Sequence, residues 1–233
     1  MLKRIFVFAL ALLLCVCLVA CKDEEAPPEE PPTEGTEGGE EGGEPEGPKV
    51  AFKGDVGEST VTWKLMTDGE LIIGGTGAMP DFSTVDVGND SRPWAELLSY
   101  ITTVTVEEGV TGLGKYAFKN LAALKTVTLP ASLTALPYAV FENCTSLKTV
   151  SGGVGLALID ENAFSNCSSL ATVSISTPLS QVGYGAFYTG GSAALKLHFT
   201  GSETEWQSTR AAMTVEAGND VFQNATVTCF PKS

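Results

Sequence analysis

Histidine occurs once in this chain, at His198, and no Asp, Ser or Cys stands at a recognisable motif spacing from it. A nucleophile–base pair therefore cannot be assembled, so catalytic residues are not assigned and an enzyme is not expected. Cysteine is sparse and scattered: Cys15, Cys17 and Cys21 near one end, Cys144, Cys167 and Cys229 far beyond. A lone His with scattered Cys supplies no convergent ligand set, so neither a metal nor a cofactor is expected. Basic residues are few as well, 14 Lys and Arg against 28 Asp and Glu, for a formal charge of −14. Phosphate contacts need a basic stripe, which argues against nucleic acid as a partner. Apolar runs are short everywhere except over 5–20, itself brief for a bilayer-spanning helix. Gly74-Gly75-Thr76-Gly77 lacks the Gly-Lys-Ser/Thr continuation of a phosphate loop and reads as turn glycines.

The apolar run at 5–20 follows Lys3 and Arg4 and ends in Leu18-Val19-Ala20-Cys21, an order that resembles the bacterial lipobox. This implies a lipoprotein signal peptide over 1–20 and Cys21 as the lipid-attachment residue, with membrane contact through acyl chains only. From Lys22 to Pro48 eleven acidic residues and one basic alternate with Gly, Pro and Thr, without an aromatic or branched aliphatic side chain. Such a segment has no core to bury, so 21–48 is expected to be a disordered acidic tether. The expected location is extracytoplasmic, lipid-anchored and exposed at the cell surface.

The rest of the chain is governed by a period. Phe118, Phe141, Phe164 and Phe187 fall 23 residues apart, with Ala117, Val140, Ala163 and Ala186 before them and Leu124, Leu147 and Leu170 after. Val127, Val150 and Val173 follow in step, then Leu133, Leu156 and Leu179, then Leu136, Ile159 and Val182. A unit of this length cannot bury its apolar side alone, so neighbouring coils must stack into one core. The fold class expected is an α/β solenoid of about five 23-residue coils over 92–199.

Within a coil, Val127 and Leu129 alternate with Thr126 and Thr128, the mark of a half-buried strand. Stacking sets these strands in a parallel sheet about 4.8 Å apart. The Ala-Phe segment returns as a short helical turn with its Phe in the core. Gly152-Gly153 interrupts the inward position of the third coil, which predicts a bulge or a locally underpacked spot there. Cys144 and Cys167 share one repeat position with Leu121, which fits small apolar side chains; equivalent positions in adjacent coils also come near disulfide distance. A β-hairpin is expected around Asp68-Gly69, giving an N-terminal β cap over 49–91. The capping box Ser202 to Glu205 and an apolar-alternating stretch over 225–230 give a helix and strand cap over 200–233.

These units resemble the BspA-like leucine-rich repeats of bacterial surface proteins, whose unit runs Ala-Phe-x-x-Cys-x-x-Leu-x-x-Val-x-Ile-Pro-x-x-Val-x-x-Ile-Gly. Residues 117–137 and 163–183 follow it most closely, with departures at Pro137, Asp160 and Gly152-Gly153. The segment with Trp63, Gly75-Thr76-Gly77-Ala78-Met79 and Pro93-Trp94 is similar to those that open such arrays. The resemblance implies a surface-exposed repeat protein, with adhesion to host matrix proteins or other bacteria as the role associated with the family.

Outward strand positions form two rows that are the candidate ligand-binding residues: Thr103, Thr126, Thr149, Thr172 and Lys196, and Thr105, Thr128, Ser151, Ser174 and His198. Lys125 and Lys148 flank them. The expected function is non-catalytic, an adhesin-like module whose sheet face binds a protein or glycan on host or neighbouring cells. The competing expectation is a passive structural spacer or assembly element of the envelope, since Thr is also simply a good exposed strand residue.

Overall fold

The computed structural model describes residues 47–83, 89–176, 178–189 and 194–230, all within the unit Glu46–Ser233. The expected signal peptide, Cys21 and almost all of the tether lie outside the described residues.

Three antiparallel strands open the fold: β1 (Val50–Asp55), β2 (Val61–Met66) and β3 (Glu70–Gly75). Asp68-Gly69 makes the turn between the last two, with Gly69 at φ 88° and the Glu70 N–H donating to Asp68 Oδ1 at 3.2 Å. From β3 onward each coil supplies two strands. They are β4 (Gly77–Ala78), then β5 (Thr103–Val106) with β6 (Val110–Gly112), β7 (Thr126–Leu129) with β8 (Ala135–Leu136), and β9 (Thr149–Gly152) with β10 (Leu158–Ile159). Next come β11 (Thr172–Ser176) with β12 (Gln181–Val182), and β13 (Lys196–Thr200), α1 (Glu203–Ala212) and β14 (Thr214–Val215). Helix α2 (Asp220–Gln223) and β15 (Thr226–Phe230) close the described chain.

The odd-numbered strands from β3 pair in parallel, so the main sheet reads β1-β2-β3-β5-β7-β9-β11-β13-β15 among the described residues. The N-terminal meander is thus no separate layer; its third strand is the first rung of the parallel sheet. The short second strands stack on a second side, β8, β10, β12 and β14 together and β4 with β6.

A third side carries the Phe residues. Backbone N–H groups here donate to the next coil at alternate positions, Phe118 to Val140 at 3.0 Å, Phe141 to Ala163 at 2.9 Å and Phe164 to Ala186 at 2.8 Å. Where the sequence reading places a short helical turn, the chain makes successive i+3 to i turns interrupted by left-handed residues. Tyr116, Ala139, Asn162 and Gly185 form one left-handed set and Asn120, Asn143 and Asn166 the other. Two such residues per coil stop a helix from propagating, and they turn N–H and C=O outward along the stack. Asn suits the second set because its short amide tolerates this conformation. The amides also join one another: Asn143 Nδ2 donates to Asn120 Oδ1 and Asn166 Nδ2 to Asn143 Oδ1, each at 2.9 Å.

Inside, the rings stack. Trp94, Phe118, Phe141, Phe164, Phe187 and Phe222 follow one another with centroids 5.9, 5.4, 5.5, 5.1 and 4.9 Å apart. One aromatic stands in each coil, so the column extends one coil beyond the regular Phe interval at either end. Beside it Cys144 and Cys167 are buried and free, their thiols donating to the carbonyls of Phe118 and Phe141 at 3.1 Å. They therefore fill the small-apolar role and serve as inter-coil donors. Burial pushes the Cys144 thiol up to about 12.

Irregular coils substitute side chains for the ladder. At the start Arg92, almost fully buried, pairs with Asp90 and donates from Nη1 to the Lys119 carbonyl at 2.5 Å. Burial alone would raise the Asp90 carboxyl, but hydrogen bonds and charge from Arg92 prevail and lower it. At the far end buried Asn219 accepts from the Phe187 N–H at 2.9 Å and donates to Gly183 O at 2.8 Å, standing in for backbone. The capping box on α1 forms as read, with the Glu205 N–H donating to Ser202 Oγ at 3.2 Å and the Ser202 N–H to Glu205 Oε2 at 2.7 Å. Trp206 of that helix packs on Phe199, ring centroids 5.3 Å apart.

Candidate functional site: an uncovered hydroxyl face on the parallel sheet

The main sheet has one face in the core and one without cover. Val104, Val127, Val150, Val173 and Leu197 point inward and are at most 1% exposed. Their strand neighbours point out, and the first row lies in unbroken register: Thr103 beside Thr126, Thr149, Thr172 and Lys196. With neighbouring strands about 4.8 Å apart, those five residues span roughly 20 Å. Thr126, Thr128 and Lys196 are exposed, and Thr103, Thr105, Thr149, Ser151, Thr172, Ser174 and His198 are half-buried by their neighbours.

The second row is continuous only in two pieces. Thr105 aligns with Thr128 and Ser151, and Ser174 with His198, but β9 and β11 stay in register only over Thr149–Thr172 and Val150–Val173. There the chain leaves the extended strand conformation: Gly152 and Gly153 are both left-handed, at φ 77° and 64°. A Cβ on Gly152 would lie 2.0 Å from the Leu129 carbonyl oxygen, so no other residue fits without a backbone shift. Ser151 adapts by donating from Oγ to Val127 O at 3.2 Å.

Several hydroxyls already touch. Thr103 and Thr126 lie 3.2 Å apart at Oγ1, Thr128 Oγ1 is 3.4 Å from Ser151 Oγ, and Thr105 Oγ1 donates to Glu70 Oε1 at 2.5 Å. His198 sits edge-on to Phe230 at 5.3 Å, the ring of a side chain that is 49% exposed. Among the described residues no group of three His, Cys, Asp or Glu side chains converges to hold a metal ion.

Both rows are longer than the repeats alone disclose. Glu70 and Ile72 of β3 continue them on one side, and Thr226 and Thr228 of β15 on the other. Each strand is legible in the sequence, but its place in the parallel sheet is not, because that pairing is set by stacking rather than by a local turn. Tyr100 and Tyr184 are more than half exposed, whereas Tyr138 packs edge-on against Tyr116 at 5.4 Å.

A stack of short coils with one bare parallel sheet and an aromatic column behind it defines a leucine-rich-repeat solenoid. The model of the BspA type leucine rich repeat region matches residues 97–209 in six copies, and this stretch of the chain belongs to that family. None of the curated proteins matches the chain. Among solved structures it is similar to a leucine-rich repeat protein from Eubacterium ventriosum, at 21% identity over 77% of this chain and 44% of that one, with a TM-score of 0.56. A leucine rich cell surface protein from Faecalibacterium prausnitzii matches at 20% identity over 81% of this chain and 56% of that one, TM-score 0.43. This chain spans about half the length of those two relatives.

Proposed function

We propose that the chain is a non-catalytic recognition module of the bacterial cell surface, and that its hydroxyl face binds an extended protein or glycan partner. The observation that carries this reading is the first row: five polar side chains in register on a sheet face that no described element covers. Leucine-rich-repeat regions generally act by presenting such a surface, and the row supplies donors and acceptors at every coil. Lys125, Lys148 and Lys196 are exposed along it, favouring a partner with negative charge. In this reading Cys21 is the lipid anchor, and the acidic segment 21–48 holds the solenoid away from the membrane.

The test is binding of the protein to an array of matrix proteins and glycans beside a Thr126→Glu, Thr149→Glu variant. Saturable binding that disappears in the variant is the expected result; equal binding by both would remove the face from consideration. One observation favours the passive-spacer reading instead: Thr103 with Thr126, and Thr128 with Ser151, already satisfy one another across strands. Absence of any ligand for a folded wild-type protein would support it.

A further inference from the structure

The outer surface of the Phe side, away from the hydroxyl rows, changes character along the stack. In its first coils the outward side chains engage one another: Tyr138 packs on Tyr116, Lys119 lies over the Tyr116 ring at 5.3 Å, and Lys119 Nζ meets Glu142 Oε2 at 2.7 Å. In the coil of Phe187 the same two columns end in Tyr184 and Tyr188, which are 55% and 59% exposed. Neither ring contacts another ring among the described residues. No other described coil of this side exposes two aromatic rings. We propose that Tyr184 and Tyr188 form a second binding site, a stacking platform for a neutral glycan built of glucose-type pyranose units.

The platform is preformed. The Asn162 N–H donates to Tyr184 O at 3.1 Å, the Asn166 N–H to Tyr188 O at 2.7 Å and the Tyr188 N–H to Gly185 O at 3.0 Å, so both tyrosines stand on backbone fixed by the neighbouring coil or by the turn itself. A ring with two side-chain torsions then loses little freedom when it meets a ligand. Gly185 lies between them in the left-handed conformation, at φ 60°. A Cβ there would sit 3.0 Å from Asn162 Oδ1 and 3.8 Å from the Tyr188 Cβ. Glycine therefore leaves backbone and the Asn162 side-chain amide as the floor between the rings. That amide is half-buried and bonds to no other described residue. Asn166, the last rung of the amide ladder, donates to Asn143 and leaves its own Oδ1 open. Glu161, exposed, occupies the column of Tyr184 one coil earlier.

Aromatic faces beside a few placed donors and acceptors describe a small-ligand site. A protein partner would need a desolvated apolar centre within about 800 Å² on each side, and here two rings are set among Glu161, Asn162 and Asn166. A pyranose with equatorial hydroxyls has the complementary build. Its axial C–H groups give each face an apolar centre that lies flat on a ring, while the hydroxyls at its rim meet the amides and the carboxylate. The charges favour a neutral sugar: Glu161 adjoins Tyr184, whereas Lys115 and Lys119 stand three coils away and are paired with Asp81 and Glu142. This site shares no residue with the hydroxyl rows and does not rest on their binding a ligand.

The experiment is native electrophoresis of the full chain in detergent through gels containing hydroxyethylcellulose, whose units carry hydroxyls, or glycol chitin, whose units carry acetamido groups. Wild type is expected to be retarded by at least one of them relative to a sugar-free gel, and the gel that retards it identifies the sugar. Tyr184→Ala and Tyr188→Ala should each lose the retardation while keeping the wild-type unfolding midpoint, and Tyr184→Phe, which keeps the ring, should retain it. Gly185→Asn, a residue that already adopts the left-handed backbone at Asn162, fills the space between the rings and should also lose it. The Thr126→Glu, Thr149→Glu variant should migrate as wild type does. Free migration of wild type in both gels would overturn the proposal. So would retardation that survives both tyrosine-to-alanine variants, or that disappears only when the hydroxyl rows are changed.

Discussion

The side of the solenoid that carries the Phe column and the side that carries the hydroxyl rows divide the repeat between them. On the first, every strictly recurring position is fixed from within: Phe in the stack, Cys or Leu beside it, Asn in the amide ladder, a left-handed residue at each corner. On the second, the recurring residues are the buried Val, while the outward ones drift from Thr to Ser to Lys and His. Repetition in this chain therefore reports how coils stack, and recognition has to be sought where repetition weakens. Mutations should separate the two sides cleanly, large in stability on one and negligible on the other.

The largest effect is expected from Phe141→Ala, which opens the centre of the ring column. It should cost about 3–5 kcal/mol and, because each coil rests on its neighbours, lower the urea midpoint of the whole array in one transition. An unchanged midpoint would mean the column is not what holds the coils together. Gly152→Val comes next. It forces a branched side chain into a left-handed residue 2.0 Å from a carbonyl, at roughly 1–3 kcal/mol for the strained backbone alone. Circular dichroism melting should show it. Asn143→Ala removes both amide bonds of its rung and places Ala in the left-handed region, about 1–2 kcal/mol, again read from the melting temperature.

A smaller effect is expected in acid. Glu108, bridging coils outside the ring column, has its carboxyl lowered from its ordinary 4.5, first by the Ala131 N–H at 2.7 Å and then by Ser132. A depressed carboxyl stabilises the fold above its unfolded pKa, and the contribution is lost as pH falls through the lower folded value. Wild type should thus lose its advantage over Glu108→Gln only below about pH 4.5; a gap that persists at lower pH would show that the bond does not depend on the charge. Smallest of all, Thr126→Glu at its exposed position should change stability by no more than about 0.5 kcal/mol, and Thr149→Glu, half-buried beside it in register, by somewhat more, while together they abolish binding.

The legible part of the fold was what the 23-residue interval repeats: the strands, their inward Val and Leu, and the four Phe. Gly152-Gly153 was legible as an irregular spot because it interrupts an inward strand position that Leu129 and Ile175 fill in other coils. Phe222 was hidden, since α1 is inserted between β13 and β14 and delays the ring to 35 residues after Phe187. Trp94 was hidden by being a different aromatic in a coil with a different corner, held by Arg92. The second strands are two or three residues long, too short for alternation to register. The left-handed corners at Tyr116 and Ala139 carry no local signal at all, because neither residue type favours them. Of the candidate site, the two rows were readable as a period; their extension through Glu70 and Thr226, and the break between Ser151 and Ser174, depend on pairing that only the stack determines.

The most direct measurement is titration of wild type and the Thr126→Glu, Thr149→Glu variant against the ligand that an array of matrix proteins and glycans identifies, with unfolding curves for both proteins alongside. Saturable wild-type binding, lost in a variant that still unfolds in one cooperative transition, is the result predicted by a recognition surface on the hydroxyl rows. Equal affinity in the two proteins would contradict it.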